Sequence, residues 1–222
     1  MAQQYAASIA GEALRVSALD ASGAIVFSPT SDTSIYTLES FISVSFTPEY
    51  EEGDEFVQKT ASGATCVNYR MPSTLKQITL ELAVCNPDPE LDYLITGGAL
   101  LTDVGGDSIG FAAPKTGELS EADYGVALEV WSRAIVDGKP DATLPYWHWV
   151  FPLVHLRPSG SRVVENGLMA NTYDGYGIGN LGFGDGIGGS WAHAEETVGP
   201  YAYARTATTP PTGNGFVTGV TG

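Results

Sequence analysis

The stretch at residues 177–182, which reads G-I-G-N-L-G, is the part of this sequence closest to a known chemical fingerprint. It matches the G-x-G-x-x-G spacing of dinucleotide-binding loops, in which a helix N-terminus binds the pyrophosphate. The next residues, 183–189, contain four more glycines and cannot begin such a helix. We therefore predict a flexible or turn-forming backbone at this position and no cofactor.

Other groups that could carry out catalysis or bind metal lack a defining arrangement. The histidines His148, His155 and His193 are not accompanied by a G-x-S-x-G nucleophile elbow. Five carboxylates within residues 49–55 lack the alternating ligand pattern of a calcium loop, which favours a solvated loop or a contact surface. A carboxylate pair for glycoside hydrolysis is defined by its spatial separation, and no pair stands out. We expect neither an enzyme nor a metal site.

Aromatic residues concentrate at residues 146–151, where Trp147 and Trp149 alternate with other apolar side chains. Two interpretations are open. The rings could form a platform on which sugars or bases stack, or they could pack in the core of a strand that is covered on both faces. The apolar character of both faces favours core packing.

Charge and composition limit the classes of function. With 26 acidic and 10 basic residues, the formal net charge is −16, which opposes binding to nucleic acid because phosphates need clustered cations. No run approaches the roughly 18 apolar residues of a membrane-spanning helix, and the first ten residues lack the basic start of a secretory signal, so we expect folding in a cytoplasm. Cys66 and Cys85 are predicted to be buried free thiols.

Alternation of apolar and polar residues predicts a mainly β fold in one domain. A short helix is expected at 89–96, with Asp88 as N-cap, Pro89 at its first position and glycines at 97–98 as its end. A long polar loop is predicted at 49–63, and extended arms at 1–13 and 190–222. The predicted strands are 14–19, 24–27, 36–47, 64–69, 75–84, 125–136, 144–157 and 162–170.

This order of elements resembles the major tail tube proteins of bacteriophages with long, non-contractile tails, particularly those of actinobacterial hosts. The likeness is carried by residues 36–50 followed by the polar 51–63, and by 145–158 followed by 166–176. It spans most of the chain and rests on architecture and composition. The resemblance implies a β-sandwich or barrel-like subunit, with residues 14–189 as the tube domain, that forms stacked hexameric rings and conducts double-stranded DNA during genome ejection.

The resemblance also implies partners, a location and contact residues. The partners would be further copies of the chain, a tape measure protein, and tail terminator or baseplate proteins, in a virion tail assembled in the host cytoplasm. DNA would pass without specific binding. In that family the long polar loop and the terminal arms touch the next ring. The candidates here for ring-to-ring contact are Glu49, Glu51, Glu52, Asp54, Glu55 and Lys59.

The negative charge suits a conduit for DNA, because cationic side chains on its wall would retain phosphates. On this basis Glu39, Glu81 and Glu129, each on the polar face of a predicted strand, are expected to line the lumen. The alternative from a different class is a β-sandwich that binds carbohydrate on Trp147 and Trp149, on a virion or cell surface.

Overall fold

The structure, a computed structural model, describes residues 5–27, 33–163 and 171–217. Strands account for 51% and helices for 9%, which confirms the mainly β fold. Within the described ranges the one α-helix is α1, Pro89–Thr96. The strands are β1 Ala7–Ala18, β2 Ile35–Leu38, β3 Phe41–Glu51, β4 Glu55–Lys59, β5 Thr65–Arg70, β6 Thr74–Val84, β7 Ala99–Thr102, β8 Ser108–Ala112, β9 Val126–Val136, β10 Lys139–Pro140, β11 Tyr146–Ser159, β12 Asn171–Ile178, β13 Ala202–Thr206 and β14 Gly215–Phe216.

Ten of these strands form one antiparallel sheet. Its order is β14-β2-β1-β9-β11-β12-β6-β3, with β10 beside β9 and β13 beside β11. The remaining strands form two separate ribbons, β4 with β5 and β7 with β8. Strand β3 therefore lies at one end of the sheet, and β1 lies near the other.

The sheet curls until β3 lies over β1, β9 and β11. A Cβ built on Gly11 of β1 would be only 2.3 Å from the ring of Phe41 in β3. The ring of Phe46 in β3 lies 5.2 Å from that of Phe151 in β11. This curvature gives the sandwich- or barrel-like body that the sequence predicted, and it encloses a core that includes Leu14, Leu80, Leu82, Leu128 and Val154.

The opposite face of β1, β9 and β11 is covered by the segment that follows β12. Phe183, Ile187 and Trp191 of this segment are buried against Val150 of β11. Strand β11 is therefore packed on both faces over much of its length, as its run of apolar residues predicted.

Helix α1 confirms the predicted boundaries. The Asp88 side chain accepts hydrogen bonds from the backbone N–H groups of Glu90 and Leu91, each at 3.1 Å. The Tyr36 hydroxyl also donates to Asp88, which ties the helix start to β2. Gly97 ends the helix with φ of 66°, a left-handed conformation that favours glycine.

The predicted N-terminal arm is wrong for residues 7–13, because β1 begins at Ala7 and belongs to the main sheet. Ala7 lies opposite Ile135 of β9, and the pairing continues to Ala18. Backbone hydrogen bonds hold the first half of this strand, together with side-chain contacts to β9: the Ser8 hydroxyl lies 2.6 Å from that of Ser132, and Glu12 pairs with Arg133. Most of its side chains are exposed and show no apolar alternation. Residues 1–4 lie outside the described residues.

The single strand predicted at 36–47 is in fact two. The chain bends at Glu39 and Ser40, β2 pairs with β1, and β3 pairs with β6 at the far end of the sheet. The alternation of apolar and polar residues is interrupted at Ser40 and Phe41, and this interruption was the sign of the bend.

The predicted C-terminal arm at 190–222 is also wrong where the structure describes it. Trp191 is buried, β13 pairs with β11, and Phe216 of β14 lies opposite Tyr36 of β2. Residues 218–222 lie outside the described residues. So do 164–170, which hold most of the strand predicted at 162–170.

The glycine-rich stretch is only partly the turn-forming backbone that we predicted. Gly175 and Gly177 lie within β12, and a Cβ on Gly175 would be 1.8 Å from the carbonyl oxygen of His155. Glycine is needed there because two strands approach closely. The G-x-G-x-x-G stretch continues into a 3₁₀ turn, Leu181–Phe183, and no α-helix follows it in the described chain up to residue 217.

Candidate assembly surface

Strands β3 and β6 extend beyond the body and lead into a projecting ribbon. Their ladder ends at the Glu51–Thr74 pair, after which β4 pairs with β5. We call residues 54–73 the arm, and every one of them is exposed. A two-stranded hairpin without a core is marginally stable in water, and none of the described residues covers either face of this one.

The arm replaces the polar loop predicted at 49–63. That segment is strand at 49–51 and 55–59, and the turn is confined to the residues around 60–63, where Thr60 N–H donates to the Ala64 carbonyl at 2.7 Å. The sequence did not predict a strand here, because the segment begins with charged residues. An arm that projects into solvent has no core-facing side, so its residues need not alternate between apolar and polar.

The two faces of the arm differ in chemistry. Phe56 lies opposite Tyr69, and Gln58 opposite Val67, so these four side chains share one face. Phe56 is 51% exposed and Tyr69 is 56% exposed. Met71, two residues beyond Tyr69, extends this face, which we call the apolar face of the arm. The opposite face carries Glu55, Val57, Lys59, Asn68 and Arg70.

The arm has no net charge in a strongly acidic chain. Asp54 and Glu55 are balanced by Lys59 and Arg70, whereas the whole protein carries −16. The arm therefore adds nothing to the electrostatic repulsion that the rest of the acidic surface exerts on another anion. The residues predicted to make ring-to-ring contact divide accordingly: Asp54, Glu55 and Lys59 are in the arm, and Glu49, Glu51 and Glu52 lie at its base.

Two of the basal carboxylates already have partners within the chain. Glu49 is half-buried and accepts a 2.7 Å hydrogen bond from Nε2 of Gln77. Glu52 forms a 2.8 Å ion pair with Arg70. These contacts orient the base of the arm, while its apolar side chains stay exposed.

A second surface, the outer face of β3, β6, β12 and β11, is hydrophilic. Ser45, Glu81, Asp174 and Arg157 lie opposite one another across the four strands. The next row contains Thr47, Thr79, Tyr176 and His155. Arg157 Nη2 lies 3.5 Å from Asp174 Oδ2, so the one basic side chain of the first row is paired. We call this the acidic face.

Glu129 does not lie on a wet surface, so its predicted place in a lumen is wrong. Its side chain is fully buried and bonded to Arg15, whose Nε lies 2.6 Å from Oε2. His148 Nε2 lies 3.0 Å from Oε1, and the Ser190 hydroxyl donates to the same oxygen at 3.2 Å. The alternation along β9 placed Glu129 opposite the core, but the segment around Trp191 covers that face as well.

Burial alone would raise the pKa of the Glu129 carboxyl. The Arg15 guanidinium and the hydrogen bond from His148 outweigh this effect, and they hold the pKa at about 2. The Trp131 ring stacks on the His148 ring at 4.1 Å and lies under the Arg15 guanidinium. The group is a structural link between β1, β9, β11 and the segment at 187–191.

The other two predicted lumen residues are exposed but separate in the fold. Glu39 lies at the bend between β2 and β3 and accepts a 3.0 Å hydrogen bond from the backbone N–H of Gly213. Glu81 lies on the acidic face beside Asp174, a residue that the sequence analysis did not select. The alternation of buried and exposed positions in 171–176 could have placed Asp174 on the exposed face, but the glycines at 175 and 177 made the strand hard to recognise.

The aromatic residues considered for carbohydrate binding pack against one another. The Trp149 ring is stacked on Tyr203 at 4.4 Å and lies 6.1 Å from Phe46. Trp147 lies 5.7 Å from the same Tyr203 ring. Tyr203 is 52% exposed, but a sugar platform needs open ring faces, and the stacked faces of Trp149 and Tyr203 are turned towards each other.

Both cysteines are free, as predicted, but both are exposed, so their predicted burial is wrong. Cys66 lies in the arm, where nothing covers β5. Cys85 follows the last buried residue of β6.

Comparison with protein-family models and with curated proteins finds no match for this chain. Among the described residues, no helix has the length and apolar character needed to cross a membrane. The same ranges contain no group of three or more His, Cys, Asp or Glu side chains arranged to hold a metal ion.

Proposed function

We propose that this chain is the structural subunit of a bacteriophage tail tube, whose copies form stacked rings around a bore that conducts double-stranded DNA. The observation that carries the proposal is the arm, an exposed ribbon with no net charge and with an apolar face. A monomer gains nothing from such a ribbon, whereas an assembly buries it between copies.

Unpaired strand edges support the same proposal. The outer edge of β3 has no partner among the described strands, and β2 covers β1 only at residues 14–17. Long free edges invite pairing with another chain, and closure of subunits into a ring removes them. Assembly through backbone pairing and apolar contact can then outweigh repulsion between copies that each carry −16.

The acidic face supports a DNA conduit. Its exposed carboxylates, Glu81 and Asp174, face a single basic side chain, Arg157, that is already paired. A wall of this composition does not retain phosphates, and its repulsion acts over a Debye length of roughly 8 Å at physiological salt. We assign this face to the bore, which keeps Glu81 of the three glutamates selected from sequence and adds Asp174.

Sedimentation velocity across a concentration series tests the assembly. The wild-type chain should form species that grow with concentration, and a variant with Phe56→Ser and Tyr69→Ser should stay monomeric with an unchanged circular dichroism spectrum. Asn68→Ser, on the other face of the arm, is the matched control and should assemble. A wild-type chain that stays monomeric at every concentration would refute the proposal.

The bore assignment has its own test. Tubes that carry Glu81→Lys and Asp174→Lys should retain short DNA duplexes, and this retention should weaken steeply with salt. Wild-type tubes should retain none. The matched control is Glu118→Lys in an exposed loop. Equal retention by control and bore variants would contradict the assignment.

A further inference from the structure

An uncharged cleft opens between β1 and β3, where the curled sheet does not close. Its volume is about 330 Å³, and its walls include Val44, Phe46, Val130, Trp149 and Phe151. No residue that lines it carries a formal charge, although the whole chain carries −16. At the rim, the hydroxyls of Ser8 and Ser132 are 2.6 Å apart.

The two sides of the cleft are the unpaired strand edges. The free edge of β3 forms one side, and the free edge of residues 7–13 of β1 forms the other. Exposed backbone N–H and C=O groups in a row are matched by another extended chain, which adds as a strand. The edges together with the apolar floor therefore fit an extended segment with alternating apolar side chains.

We infer that this cleft receives the apolar face of the arm of a second copy of this chain. The arm meets each requirement: it is extended, its outer edges are unpaired, it has no net charge, and its side chains alternate between apolar and polar faces. An arm with no net charge and a cleft without charged lining residues also meet without the repulsion that the rest of the surface imposes. This inference rests on the proposed function and names the receiving site.

The arm that enters the cleft belongs to another copy. From Ser43, which lines the cleft, to Glu51, at the base of the arm, β3 runs for eight residues, about 26 Å at the rise of a strand. The arm continues beyond that point, so it projects away from the cleft of its own chain.

A contact between two different surfaces of the same chain has a direct consequence for assembly. Each copy offers one arm and one cleft, so the contact can repeat without a limit, as in a ring stack or a filament. Association driven by the acidic residues at the base of the arm would lack this directional character.

Cross-linking between two variants tests the inference. A donor chain carries Cys85→Ser and keeps Cys66 in its arm, and a receiver chain carries Cys66→Ser, Cys85→Ser and Ser8→Cys at the cleft. The two are mixed under conditions of assembly and treated with a short bismaleimide. We expect donor–receiver dimers at a yield about tenfold above that of a control receiver with its cysteine at Ser120, an exposed position that does not line the cleft.

A cleft-filling variant, Ser8→Trp, provides a second readout. Position 8 is exposed, so the larger side chain should leave the fold intact, yet it should weaken association about tenfold or more, whereas Ser120→Trp should not. If assemblies form normally, no donor–receiver dimer appears and Ser8→Trp has no effect, the inference is wrong and the proposed function stands. If no variant assembles, the proposed function fails and the inference with it.

Discussion

Replacement of Glu129 by glutamine removes the charge at the centre of the buried group that joins β1, β9 and β11. The carboxyl has an ordinary pKa of 4.5, and the folded protein lowers it to about 2. A difference of about 2.5 pKa units corresponds to about 3 kcal/mol of stability, and Glu129 is fully buried, so solvent does not reduce this figure. Loss of one partner of a buried ion pair costs about 3–5 kcal/mol in other proteins, which agrees.

The sign of the pH dependence follows from the lowered pKa. The stabilisation is fully present above about pH 4.5, and it is lost as the pH falls towards 2 and the folded carboxyl takes up its proton. Protonated Glu129 resembles glutamine, since both leave Arg15 without a counter-charge. Glu129→Gln should therefore be about 3 kcal/mol less stable than wild type at pH 7 and nearly equal to it at pH 2.

Urea unfolding followed by tryptophan fluorescence measures this difference, at protein concentrations below those at which the chain associates. Glu81→Gln is the matched control, because its side chain is exposed and the change should stay within about 0.5 kcal/mol. A difference between wild type and Glu129→Gln that does not change from pH 7 to pH 2 would refute the assignment of the charged pair.

Two further predictions concern the fold. Gly175→Ala should destabilise the protein by about 1–3 kcal/mol in urea unfolding, because its Cβ would lie 1.8 Å from the His155 carbonyl oxygen, whereas Gly199→Ala has 3.7 Å of clearance and should be nearly neutral. Equal effects would contradict the close approach of the strands. Asp88→Ala should cost about 1–2 kcal/mol through loss of the helix cap, and Asp88→Asn should restore most of it; a neutral alanine variant would contradict the cap.

The elements that the sequence predicted well are those whose environment is simple. In β6 one face is buried and the other is wet, so Ile78, Leu80 and Leu82 alternate with exposed Thr79 and Glu81. The start and end of helix α1 are determined by neighbouring residues in the sequence, namely the Asp-Pro pair at the start and the two glycines at the end. Such signals do not depend on distant parts of the chain.

The wrong predictions concern residues whose environment is set by segments far away in the sequence. The alternation along β9 predicts that Glu129 is exposed to solvent. In the structure the segment around Trp191, some sixty residues further along the chain, covers it. The bend at Glu39 interrupts the alternation only at Ser40 and Phe41, yet it sends β2 and β3 to opposite ends of the sheet. Each depends on strand pairings that no short window of sequence contains.

The segment predicted as a loop at 49–63 belongs to the arm and its base. Residues 49–63 were selected for their acidic side chains, and the structure shows that the neighbouring apolar residues, Phe56 and Tyr69, are the exposed feature. They pair across a ribbon, so their common face follows from the register of β4 and β5. The register depends on the turn around Gly63, which the sequence analysis placed within a loop.

Electron microscopy of the concentrated wild-type protein in negative stain tests the central claim most directly. Self-assembly through arm and strand edges predicts rings or hollow tubes with a stain-filled bore. A field of uniform single subunits at high concentration would contradict it.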